Sequence, residues 1–211
     1  MALLNFGRAQ KIFHHVALMQ RGFTLIELLI STSIILLIGG QVFVSFSGLN
    51  EASTLDRAAQ ELAFNIRRAQ NMALSIAAVN INGTYQIPRS VALQISSRDK
   101  KNDPPPKHTA DSGMYLFFAD QNGNQEFDYP DEQIQPEIML PGNIQITSIS
   151  GIIPGNPEAN LIFYTPEATL LVSRFNGNAI NANPVLIVLQ ASSGATRTIK
   201  LRSSGQVTVS R

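Results

Sequence analysis

The sequence predicts an α+β protein. One long N-terminal helix, transmembrane in its first half and amphipathic in its second, packs on a mainly antiparallel β-sheet domain. Three observations predict it. From Phe23 to Gly48 most residues are Leu, Ile, Val or Phe, and Glu27 is the one charge. From Asn50 to about Val79, Leu55, Ala58, Ala59, Leu62, Ile66, Ala69, Met72, Ala73 and Ile76 recur at helical spacing, with Asp56, Arg57, Gln60, Glu61, Arg67, Arg68 and Gln70 largely between them. After Gly83 the chain turns to short alternating runs with no βαβ alternation, the pattern of an α+β domain.

The composition bounds this reading. The chain has 211 residues, enough for one membrane helix and one domain of ordinary size. Hydrophobic residues make up 44%, which serves both a span and a core. A net charge of +1 gives no global field favouring nucleic acid or acidic partners. The chain has no cysteine, which excludes a disulfide scaffold and a cysteine-ligated metal site.

Residues 1–22 carry Arg8, Lys11 and Arg21 and no acid. Positive charge before an apolar run places the N-terminus in the cytoplasm and the C-terminal bulk outside it. A helix of about 20 apolar residues crosses a bilayer's hydrocarbon core. A carboxylate within such a span is costly enough to imply a partner for Glu27. Gly39-Gly40 either softens the helix or lets another helix pack closely. Nothing breaks the helix before Asn80-Ile81-Asn82-Gly83, so the economical reading is one helix from about Phe23 to Ala78, with 23–48 in lipid and 49–79 amphipathic. The Arg67-Arg68 pair reads as its solvated face.

Residues 80–211 form the β-rich domain. Val91–Ile95 alternates. Ser96–Gly113 is polar, contains Pro104-Pro105-Pro106, and reads as a mobile loop. Met114–Phe118, Ile134–Leu140, Ile144–Ile149, Leu161–Tyr164 and Thr169–Ser173 follow as short strands. Pro184–Leu189, a turn at Ser192–Ala195, and Thr196–Leu201 form a hairpin, and Val207–Val209 closes the chain.

The stretch Arg21-Gly22-Phe23-Thr24-Leu25-Ile26-Glu27, followed by Leu28-Leu29-Ile30, resembles the class III leader junction of type IV pilin-like proteins. The resemblance covers residues 21 to about 48. It implies a pilin-like fold, removal of residues 1–22 by a prepilin peptidase that cuts between Gly22 and Phe23, and N-methylation of Phe23. Glu27 then corresponds to the glutamate that pairs with the N-terminal amine of a neighbouring subunit during assembly. The implied partners are other pilins or pseudopilins, the prepilin peptidase, an inner-membrane assembly platform and membrane lipid. The implied location is the bacterial inner membrane, then the pilus or pseudopilus. Weaker likenesses point to the minor pseudopilin H and FimT group. These are Arg67–Ala73 on the long helix, the Asp-x-Asn-Gly-Asn turn after a strand, and the alternating end around Ser204-Gly205. A DNA-uptake minor pilin and an anchored domain that never assembles stand as alternatives.

Two constellations carry other chemistry. Asp120, Asn122, Asn124, Glu126 and Asp128 place oxygen side chains at alternate positions, as a calcium loop does, and Asp131 and Glu132 could add more. The spacing departs from an EF-hand, with Gln125 at the position that loop reserves for glycine, so a hairpin turn at Asn122-Gly123 competes with a cation site. Arg197, Lys200, Arg202 and Arg211 form a basic C-terminal stretch, which in some FimT-type pilins binds DNA. Gln206 stands where an arginine would support that role, and alternation divides the charges between strand faces, so a solvated face is the expectation and nucleic acid is not an expected partner. His14-His15 falls in the leader. His108 sits alone in the proline-rich loop, and no phosphate loop or nucleotide fingerprint is present. The mature chain is expected to be a non-enzyme without a cofactor, apart from the calcium question.

Overall fold

The computed structural model describes residues 22–81, 83–99, 110–129, 132–151, 157–180 and 183–210, with the side chains of 42–49 excepted. Two compact units divide after Val44. Helix α1, Leu25–Leu74, contributes to both.

In the unit from Ser45 onward, α1 buries one stripe. Leu55, Ala58, Ala59, Leu62, Ala63, Ile66, Ala69 and Ala73 are all buried. Their three- and four-residue spacing puts them on one face, and the five alanines let a sheet approach closely. Asn65 interrupts the stripe, and its amide donates to the Tyr115 hydroxyl at 2.6 Å. Burial pushes the Tyr115 phenol up to about 12. The helix ends without glycine. The Ala77 N–H reaches the Met72 carbonyl at 3.1 Å, and the Ile76 N–H reaches Ala73 at 3.3 Å. That closure needs a left-handed residue, and Ile76 supplies it at φ 50°.

Twelve strands follow: β1 (Val79–Ile81), β2 (Thr84–Gln86), β3 (Ser90–Ser96), β4 (Met114–Asp120), β5 (Ile138–Met139), β6 (Gln145–Ser150), β7 (Glu158–Tyr164), β8 (Leu170–Ser173), β9 (Ala179–Ile180), β10 (Val185–Gln190), β11 (Thr196–Leu201) and β12 (Val207–Ser210). They form a six-stranded sheet in the order β5-β4-β3-β7-β8-β9, a four-stranded sheet β12-β11-β10-β6, and the hairpin β1-β2. The pairings are antiparallel throughout. The α+β expectation therefore holds, as two sheets and a hairpin. The hairpin and β9 were not among the expected strands.

Both larger sheets share the core with α1. Val91, Leu93, Ile95, Phe117, Leu161 and Phe163 join it from one sheet, and Ile146, Ile187, Leu189, Ile199 and Leu201 from the other. Polar contacts fix both sheets to the helix. Arg197 is ion-paired with Asp56. Glu51 accepts from the Ser192 hydroxyl at 3.2 Å and the Ser193 N–H at 3.1 Å, which hold its carboxyl below the usual range. Arg67 donates to the Val207 carbonyl at 2.7 Å. Arg68 lies 5.7 Å from the centre of the Phe117 ring and donates to Gln135. The Arg67-Arg68 pair is exposed, as expected of a solvated face, yet both side chains also tie helix to sheet.

The six-stranded sheet is buried on its second face too. Ala92, Leu116, Phe118 and Ile162 form a smaller cluster there, with Phe127, Tyr164 and Leu171 packed against it. Phe127, from the connection after β4, covers Phe118 with ring centres 5.5 Å apart.

Candidate functional site

The N-terminal site starts with a helix boundary. Gly22, Phe23 and Thr24 are exposed and non-helical. The Thr24 hydroxyl accepts the Glu27 N–H at 3.2 Å, and the Thr24 carbonyl accepts the Leu28 N–H at 3.1 Å. Thr24 is thus the N-cap, and Thr-x-x-Glu is the sequence of a capping box. The boundary puts Glu27 in the first turn of α1, where the helix dipole favours a negative charge. Phe23 is 77% exposed.

Nothing in the described chain requires glycine at position 22. A Cβ there would meet no atom within 4 Å, and the residue is not left-handed. The same holds at Gly39 and Gly40.

Downstream, Leu25, Ile26, Leu28, Leu29, Ile30, Ile34, Ile35, Leu36, Leu37 and Ile38 are all exposed. They point in every direction around the helix rather than along one stripe. The three hydroxyls among them turn inward: Ser31 donates to the Glu27 carbonyl at 2.7 Å, Thr32 to Leu28 at 3.0 Å and Ser33 to Leu29 at 2.8 Å. This satisfies polar groups on the helix's own backbone, as an apolar medium demands. Among the described residues no helix is long and apolar enough to cross a membrane.

The structure gathers Asp120, Asn122, Asn124 and Asp128 around their own backbone. Asp120, fully buried, accepts from the Gly123 N–H at 2.6 Å, the Gln125 N–H at 3.2 Å and the Ser90 hydroxyl at 3.4 Å. Asn122 accepts from the Asn124 N–H and Asn124 from the Glu126 N–H, both at 2.8 Å. Both amides donate to Asp128, at 2.8 and 2.9 Å. Glu126 joins through its backbone N–H. Glu132 accepts from the Gln121 and Asp128 N–H groups at 2.8 and 3.2 Å. Burial pushes the Glu132 carboxyl up to about 7, against those two hydrogen bonds, with Asp120 and Asp128 adding to the rise.

Among the described residues no group of three or more His, Asp or Glu side chains is placed to hold a metal. Asp131 lies outside the described residues. The segment turns at Asn122-Gly123, with Gly123 left-handed at φ 78°. It folds over the second face of the six-stranded sheet, where the Gln125 carbonyl accepts from Asn160 at 2.9 Å and Ser173 at 3.0 Å, and its amide donates to Tyr164 at 3.2 Å.

The C-terminal basic residues diverge. Arg197 sits two residues from Ile199 and four from Leu201, facing α1 and Asp56. Lys200 alternates with them onto the opposite face, and Arg202 lies past the end of β11. Arg211, His14, His15, Pro104–Pro106 and His108 lie outside the described residues.

A family model described as the prokaryotic N-terminal methylation motif matches residues 18–40. The motif supports a type IV pilin-like protein. It supports prepilin cleavage, methylation and membrane anchoring, with assembly alongside other pilins after processing by a prepilin peptidase. Proteins that bear it are typically structural rather than enzymatic. No curated protein and no solved structure matches the chain. Thr24 is the residue that the sequence reading missed as a position with its own role, and Thr-x-x-Glu was the available signal.

Proposed function

We propose that the chain is a minor pilin or pseudopilin, a structural subunit of a type II secretion pseudopilus or a type IV pilus. It is inserted in the inner membrane with its N-terminus in the cytoplasm. It is cut between Gly22 and Phe23, methylated at Phe23, and assembled through its N-terminal helix. Glu27 pairs with a neighbour's terminal amine in the low-dielectric bilayer, where an unpaired charge is costly. That pairing sets the axial register, and the domain of α1 and its sheets projects outward to carry specificity. The observation that carries this reading is the methylation motif at 18–40, with the Gly22–Phe23 junction exposed just before the helix. The glycine that its own chain does not require fits a demand made by a processing enzyme.

Intact mass spectrometry of the protein from its native membrane tests the reading, with Gly22→Val as control. Loss of residues 1–22 with one added methyl group is expected, abolished in the variant. A full-length mass in both would leave a simple anchored domain.

A further inference from the structure

We propose that Thr24 is a positioning residue for cleavage of the Gly22–Phe23 bond: its hydroxyl fixes the helix start at Leu25 and so holds the scissile peptide outside the helix. This rests on the reading of the chain as a pilin-like precursor.

A peptide bond inside an α-helix has its carbonyl occupied by the amide four residues on, and its backbone is curled. Helical bonding here begins with the Thr24 carbonyl, which accepts from Leu28 at 3.1 Å. An N-cap residue holds non-helical dihedrals while its side chain accepts a first-turn N–H. The Thr24 contact to the Glu27 N–H at 3.2 Å does this, and Gly22 and Phe23 lie on the non-helical side of it. Cleavage adds water across the bond. The hydroxyl goes to the Gly22 carbonyl carbon, the C–N bond breaks, and the proton goes to the Phe23 nitrogen. This leaves a Gly22 carboxylate and the Phe23 amine. A bond already free of the helix can enter a peptidase without unwinding a turn. The cap also ties the two functions of the motif together, because the same hydroxyl that frees residue 22 fixes Glu27 as the third helical residue. In an apolar medium the bond counts for more, since no water replaces a lost first-turn acceptor.

The test follows the processed fraction over time in native membranes containing the peptidase, using the full-length chain. Thr24→Val keeps the side-chain shape and removes the acceptor, and is expected to slow processing by about fivefold or more. Thr24→Ser and Thr24→Asn, both good caps, are expected to restore the rate. Processing of Thr24→Val at the wild-type rate would overturn the proposal. So would Ser and Asn variants as slow as Val, because shape rather than capping would then be responsible. An unprocessed wild-type chain would overturn the precursor reading itself, and this proposal with it.

Discussion

Leu25–Gln41 and Leu55–Ala73 belong to the same helix, and they use apolar side chains in opposite ways. In the second segment one apolar stripe is covered by the sheets of its own chain, and Phe64 is the one large apolar side chain left exposed. In the first segment the apolar side chains point all round, and residues such as Leu25, at 83%, are as exposed as an unfolded chain would leave them. Burial of such side chains is worth about 1.5–3 kcal/mol each. The second segment gains that free energy within the chain. The first gains it only from something outside, which in a pilin-like protein is lipid and the helices of neighbouring subunits.

The largest expected effect breaks the symmetry between the two. Leu62→Ala, in the covered stripe, is expected to destabilise the domain by roughly 2–5 kcal/mol, since it removes buried methyl groups and leaves a cavity. Leu29→Ala is expected to leave the domain's thermal transition unmoved. Calorimetry of the two variants checks this, and equal losses would sink the comparison.

The second effect belongs to the domain whose sheets cover the second segment. Glu132 is pushed up to about 7 from an ordinary 4.5. The folded state therefore binds this proton more tightly than the unfolded state. Its contribution is fully present below about pH 4.5 and is lost as pH rises through about 7, a change of roughly 3 kcal/mol. Denaturant unfolding between pH 5 and 8 should show stability falling as pH rises, and Glu132→Gln should flatten that slope. An unchanged slope in the variant would assign the dependence to other groups.

The two halves of the helix were legible because spacing alone separates an all-round apolar run from a stripe. The β10–β11 hairpin was legible for the same local reason. The β1–β2 hairpin was not. Its strands are three residues each, and its Asn82-Gly83 signal read only as the end of the helix. The segment after β4 was legible only in part. Its alternating oxygens look like cation ligands or a turn. Asp120, Asn122 and Asn124 accept from backbone N–H groups and Asp128 from two Asn amides, and the anchors that fold the segment over the sheet are Asn160, Ser173 and Tyr164, far along the chain. Arg197 shows the same limit. Its sequence neighbours suggest a basic strand face, while its partner Asp56 lies 141 residues away. At the N-terminal site the motif was legible from residue types and spacing, the capping role of Thr24 was not, and the exposed junction added what sequence could not supply.

The central claim is that the uncovered half of the helix is covered by something outside the chain. The absence of native cysteine makes this direct to measure. Ile34→Cys and Gln60→Cys variants, both at exposed positions on α1, would be treated in native membranes with a water-soluble maleimide. The account predicts that the Gln60→Cys variant reacts readily, and that the Ile34→Cys variant reacts only after detergent is added. Equal labelling of the two in intact membranes would contradict it.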